Sequence, residues 1–218
     1  MDIKKKEIIE KAICFVKENL GEDSAGHDWY HTERVWKMGR YLAQQEGGDD
    51  YIIQLGTLLH DIDDYKVKAD KPSKLRTWLW QNDVDSGVIQ TICCIIDYMS
   101  YHSENCNHSI RKTLEFQIIQ DADRLDSLGA VGISRVFAYG GKKGRPIHDP
   151  SIPPNNDMDM KTYQSYLGTS INHFYEKLLK LEKLMNTELA QQIAKARTEY
   201  MRLFLDEFDR EWKLTDFV

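Results

Sequence analysis

Residues 49–61, Asp49-Asp50-Tyr51-Ile52-Ile53-Gln54-Leu55-Gly56-Thr57-Leu58-Leu59-His60-Asp61, decide how this chain folds. Ile52, Ile53, Leu55, Leu58 and Leu59 recur at helical spacing, not at the two-residue period of a strand. Asp49 or Asp50 can cap the start with a side-chain oxygen. The same period runs outward in both directions. Upstream, Ile8, Ile9, Ala12, Ile13, Val16 and Leu20 mark a helix that Gly21 stops; Val35, Met38 and Leu42 mark a second that ends at Gly47-Gly48. Downstream, helices are expected over 73–82, 86–100, 112–138, 161–185 and 187–212, the last with Thr187 as N-cap and Glu188 in its first turn. There is no convincing alternating strand, repeat or low-complexity tract, so the expected fold is all-α.

The 218 residues suit one domain, or one domain with a helical extension, and can bury a core without disulfides or a structural metal. Hydrophobic residues at 41% and charged residues at 29% exclude a disordered chain. No apolar run approaches the ~18 residues of a membrane span. The start, MDIKKKEIIEKAICFVKENL, lacks the apolar stretch of a signal peptide. A net charge of −6 argues against a nucleic-acid polymer as partner, yet leaves room for a small anion held by a local basic cluster. Cys14, Cys93, Cys94 and Cys106 form no CxxC pair; Cys14, Cys93 and Cys94 read as reduced packing residues of a cytoplasmic protein.

Residues 140–160, GGKKGRPIHDPSIPPNNDMDM, break the helical pattern with four of the five prolines. Lys142, Lys143 and Arg145 put three cations on a flexible backbone. They fit a solvated surface loop and equally a phosphate-gripping loop. The GxxxxGK[ST] spacing of a P-loop is absent.

Three segments carry chemistry: Gly26-His27-Asp28-Trp29-Tyr30-His31-Thr32-Glu33-Arg34-Val35, then Leu58-Leu59-His60-Asp61-Ile62-Asp63-Asp64-Tyr65-Lys66, then Asp121-Ala122-Asp123-Arg124-Leu125-Asp126. Each sets imidazoles or carboxylates beside an apolar helical stretch, where ionised groups are costly unless paired or bound to metal. Singly, each has a bland reading: a surface histidine, a polar helix end, a salt-bridged helix face. Their order, His then His-Asp then Asp, is more specific.

That order resembles the HD-domain phosphohydrolase superfamily, an all-helical fold named for its His-Asp pair. The resemblance extends from about 20 to about 212 and includes DADRLDSLGAVGISRVFAYGGKKGRPIHDP and TSINHFYEKLLKLEKLMNT, which look like a bacterial stand-alone subgroup assigned nucleoside triphosphate pyrophosphohydrolase activity. It implies a single HD domain over 1–218, with a motif core over about 20–140 and C-terminal helices over 160–212 packed on that core. It also implies His31, His60, Asp61 and Asp123 as ligands of one divalent metal; Asp123 is preferred to Asp121 and Asp126 because it immediately precedes the arginine. Two imidazoles and two carboxylates suit Mn²⁺ first, with Fe²⁺, Co²⁺, Ni²⁺ or Zn²⁺ as alternatives and Mg²⁺ less suited.

By the same resemblance, Asp64 is the candidate to position or deprotonate an attacking water. If the third helix continues through Asp61, Asp64 lies one turn on; its other reading is a solvent-facing partner of Lys66. Lys66, Lys142, Lys143, Arg145, Asp126, His173 and His27 are candidate substrate contacts, with Asp126 alternatively supporting a ligand histidine and His173 alternatively packing. Arg34 and Arg124 lie beside the ligands in sequence and fit either phosphate contacts or structural partners of the aspartates. His108 and His148 carry no assignment. The expected reaction splits a (deoxy)nucleoside triphosphate into monophosphate and pyrophosphate with a hydroxide activated by the metal. A phosphomonoesterase, a cyclic-nucleotide phosphodiesterase and a non-catalytic metal- or nucleotide-binding module are the alternatives. The last helix, with Met201, Leu203, Phe204, Leu205, Phe208 and Trp212, is apolar enough to pack inward or to pair two subunits as a homodimer.

Overall fold

The computed structural model describes residues 2–20, 28–63, 73–99, 112–155, 168–215 and 217. The backbone divides into two units, Met1–Asp23 with His27–Asp123, and Ser24–Gly26 with Arg124–Val218. Every regular element among the described residues is helical, in keeping with an all-α HD-type fold.

The first unit holds α1 (Ile3–Asn19), α2 (Trp29–Glu46), α3 (Asp50–Leu59), α4 (Lys74–Gln81) and α5 (Ser86–Tyr98); α6 (Leu114–Asp126) crosses from it into the second. Most starts are fixed by a polar side chain. Asp2, Asp28, Asp49, Ser73 and Asp85 each accept a backbone N–H from the first turn of the helix that follows. Of the two candidates for α3, the cap is Asp49, which accepts from Tyr51 and Ile52. The apolar run of α3 explains its central place. Ile53, Leu55, Leu58 and Leu59 are fully enclosed, and α3 packs on α1, α2 and α5. Leu55, Leu58, Leu79 and Ile92 form the centre of this core.

The second unit holds α7 (Gly129–Lys142), a composite α8 and α9 (Glu188–Trp212). α8 opens as an α-helix (Ser170–His173), widens into a π turn (Phe174–Leu178), returns to α (Leu179–Leu181) and tightens to 3₁₀ (Glu182–Leu184). Thr169 caps it, accepting the Asn172 N–H at 3.0 Å. α9 buries Ala190, Ala194, Thr198, Met201 and Leu205 along one stripe and packs on α7.

Three expectations of helix extent change. The helix expected over 112–138 is broken at Ser127-Leu128, and α7 runs on to Lys142. The break is built on glycine: Gly129 sits at φ +72°, and a side chain on Gly132 would overlap the Ser127 carbonyl. Gly140 and Gly141, expected in the loop, are helical. The helix expected over 161–185 starts at Ser170 among the described residues; 161–167 lie outside them. Thr187 occupies the N-cap position of α9 with extended backbone, but its side chain makes no capping bond. No described helix is long and apolar enough to cross a membrane.

Candidate metal centre

The site grows from the ends of three helices in the first unit. Asp28 fixes the start of α2 by accepting the His31 N–H at 2.8 Å, so His31 sits in the first turn with its side chain 1% exposed. Two turns further along α2, a Cβ on Gly39 would stand 2.7 Å from Thr57 Cγ2. The missing side chain lets α2 and α3 approach closely. α3 stops at Leu59; His60 follows with helical dihedrals, and Ile62 donates back to the Leu59 carbonyl at 3.2 Å.

Among the last carbonyls of α3, which lack partners within the helix, that of Thr57 takes His60 Nδ1 at 2.9 Å. A carbonyl only accepts, so the proton is on Nδ1 and the Nε2 lone pair faces inward. On the opposite side, a Cβ on Gly56 would overlap Ile119 Cδ1 and meet Cγ1 at 3.2 Å, so α6 lies against α3 one turn below Asp123.

The four ligand candidates therefore converge. His31 Nε2 stands 3.2 Å from His60 Nε2, 3.4 Å from an Asp61 oxygen and 3.6 Å from an Asp123 oxygen. His60 Nε2 stands 3.5 Å from the other Asp61 oxygen and 3.7 Å from the same Asp123 oxygen. Ligands about 2.1 Å from one ion, at octahedral to tetrahedral angles, are roughly 3.0–3.4 Å apart. His31, His60 and Asp61 form the tightest group, and Asp123 is the most exposed of the four at 37%. Two ring nitrogens facing each other and two carboxylates call for a cation between them. The donor set fits a divalent ion with N/O preference.

The other candidates divide. Asp64, Lys66 and His27 lie outside the described residues, and with α3 ending at Leu59 the continuous-helix argument for Asp64 does not apply. Asp126 is buried and paired with Arg135 at 2.9 Å. Arg124 donates to the Leu184 carbonyl, a partner that neither expectation for it named. Lys142 and Lys143 are exposed at the end of α7, and the Lys143 ammonium and Arg145 guanidinium lie over the Tyr139 ring at 5.8 and 5.5 Å. His173 keeps part of its surface in solvent, but its Nδ1 is enclosed. Burial first, then Lys177 and Arg145, push its pKa down to about 3, so it is neutral at pH 7. The sequence reading missed the supports: Asp28, the Thr57 carbonyl, Gly39 and Gly56. A cap residue three before a ligand, and a glycine four before one, were the available signals.

The HD domain family model matches residues 28–128, a span that begins at the Asp28 cap and contains all four converging side chains. The chain is 45% identical to an HD-superfamily hydrolase of Bacillus thuringiensis, covering 96% of this chain and 98% of that one, with a TM-score of 0.74. It belongs to the HD-domain superfamily. A Lactobacillus plantarum protein of known structure is 37% identical over 96% of this chain and 98% of its own, with a TM-score of 0.88. YpgQ of Bacillus subtilis is 29% identical over 209 residues, 93% of this chain and 92% of YpgQ. A crystal structure of YpgQ in complex with ADP superposes with a TM-score of 0.76 at 26% identity, covering 96% of this chain and 97% of that one. As an HD-superfamily hydrolase, the protein is a metal-dependent phosphohydrolase.

Proposed function

We propose that this HD-domain hydrolase cleaves (deoxy)nucleoside triphosphates between the α and β phosphates, releasing monophosphate and pyrophosphate. The observation that carries the nucleotide part is the YpgQ complex with ADP, a relative that spans nearly the whole chain. His31, His60, Asp61 and Asp123 would hold the metal, with Mn²⁺ as the preferred ion. A divalent ion there lowers the pKa of a water towards about 7 and polarises a phosphoryl oxygen.

The chain's own groups do the rest. The Thr57 carbonyl keeps the His60 proton on Nδ1, so that Nε2 remains a lone-pair donor. Asp64 positions and deprotonates the attacking water. Lys66, Lys142, Lys143 and Arg145 stabilise the leaving pyrophosphate, since cations placed where charge develops lower the barrier. His27, Asp126 and His173 complete the substrate contacts, with His173 acting as a neutral hydrogen-bonding group. The whole chain acts as one HD domain in the cytoplasm, where Cys14, Cys93 and Cys94 stay as the free thiols they are in the fold. It works as a monomer or as a homodimer paired through α9.

Phosphorus NMR of the protein with Mn²⁺ and dGTP tests the bond cleaved. Pyrophosphate as the inorganic product supports the proposal. Orthophosphate alone moves the protein to the phosphomonoesterases, and tight binding without any turnover makes it a sensor.

A further inference from the structure

The second unit contains a cavity of about 320 Å³, within the range of small-molecule sites, that shares no residue with the metal centre. One wall is the strap of residues 146–155. Ser170 and Ile171 donate their backbone N–H groups to the Pro146 and Ile147 carbonyls at 3.0 Å. The Asn172 side-chain amide donates to the Ile152 carbonyl at 2.8 Å, and Asn155 N–H to Glu176 Oε1 at 2.9 Å. Pro150, Pro153 and Pro154, each with a fixed φ, stiffen the strap further. The cavity is thus formed in advance of any ligand, which limits the ordering cost of binding.

The opposite walls are aromatic and acidic. The π turn of α8, a feature frequent at functional sites, carries Tyr175 into the lining. α9 supplies Phe208 and Asp209, and the His148 ring stands edge-on to Phe208 and to Trp212 at centroid distances of 5.8 and 4.9 Å. The prolines have no N–H to offer, and one N–H of the Asn172 amide already serves Ile152. The polar groups left are the Tyr175 hydroxyl, which can donate or accept, the Asp209 carboxylate, and His148 Nδ1, which is buried without a hydrogen-bond partner. Burial first, and then the Asp209 and Asp206 carboxylates against the opposing Lys213, raise the Tyr175 phenol, so the hydroxyl keeps its proton. Lys213 pairs with Asp209 at 2.8 Å, but both side chains are more than half exposed, so an entering cation can replace the ammonium at little cost.

A phosphate would meet no lysine or arginine in the lining and would face the Asp209 carboxylate. An ammonium finds ring faces, a carboxylate and an unspent imidazole nitrogen. We propose that the cavity is a second binding site, for a small organic ammonium on an apolar body.

The test uses the full chain and three probes that share one ring: benzylammonium, benzyl alcohol and benzoate. Titration followed by backbone amide shifts should show benzylammonium perturbing residues 148–154, Tyr175 and Phe208. Benzyl alcohol should bind at least about tenfold more weakly and benzoate not at all. Asp209→Asn, a change at a half-exposed carboxylate, should weaken benzylammonium about tenfold while the melting temperature holds. Equal affinity for the three probes, binding of benzoate, shifts confined to other residues, or no response to about 10 mM benzylammonium would each overturn the proposal.

Discussion

Both units enclose histidine nitrogens, and their neighbours give them opposite properties. In the first unit, His31 and His60 turn their Nε2 atoms towards each other at 3.2 Å, with oxygens of Asp61 and Asp123 within 3.4–3.7 Å. In the second, burial first, and then Lys177 and Arg145, lower the pKa of His173 to about 3. An imidazole beside carboxylates gains by sharing a cation with them. One beside ammonium and guanidinium groups stays neutral and gains nothing from a metal. Burial is common to both places; the companions of a histidine add the difference between a shared cation and none.

The largest effect follows from the first half of this contrast. Chelating the divalent ion should abolish phosphohydrolase activity, and added Mn²⁺ should restore it. His60→Ala should lower kcat/KM by about three orders of magnitude and abolish the metal-dependent rise in melting temperature, the sign of a stabilisation of about 2.7 kcal/mol at a hundredfold excess of ion over its Kd. His173→Gln should keep activity within about tenfold, the scale of a substrate contact; a loss equal to that of His60→Ala would erase the contrast.

Acid stability tests the other half. The folded pKa of His173, about 3, lies below the ordinary 6.5, so the unfolded chain binds the extra proton between those values. The contribution is complete above pH 6.5 and is lost as pH falls towards 3, at no more than about 1.4 kcal/mol per pH unit. Denaturant unfolding at stepped pH should show a steeper acid decline in the parent chain than in His173→Gln. Parallel declines would mean that His173 protonates without cost.

The sequence revealed the chemistry of the centre more readily than its supports. The order His31, His60-Asp61, Asp123 was legible because ligand residue types are distinctive and helical periodicity placed each segment. The start of α3 was legible to within Asp49 or Asp50 because capping bonds act over three residues, and Thr187 was legible as the N-cap position of α9 although its side chain makes no capping bond. The break at Ser127 was missed because Gly129 and Gly132 act through a left-handed dihedral and a close carbonyl, which hydrophobic spacing does not register. Gly56 was missed for a related reason: its role is to leave room for a side chain 63 positions away.

That role gives the third prediction. Gly56→Ala must displace Ile119, which is fully enclosed. The overpacking costs about 1–3 kcal/mol, against a helix-propensity gain of about 1 kcal/mol. A fall of a few degrees in melting temperature is expected, with weaker metal affinity, because Ile119 and Asp123 share a face of α6. Gly141→Ala in the second unit, with nothing within 4 Å of the added carbon, should be neutral or slightly stabilising. Equal effects would show that propensity, not close approach, governs Gly56.

The smallest predicted effect separates the two reasons why His173 stays neutral. Burial is the larger cause of its depressed pKa, and Lys177 comes before Arg145 among the charges. Lys177→Met removes one charge and leaves the enclosure of Nδ1 in place. The midpoint of the acid limb, read from the ring proton shifts of His173, should rise by less than about one pH unit, with stability at pH 7 unchanged. A return to the ordinary 6.5 would mean that the cations, not the enclosure, keep the ring neutral. Charge would then be the whole difference between the two histidine environments. A small rise leaves burial as the common background, with the neighbouring carboxylates of His31 and His60 setting the metal centre apart.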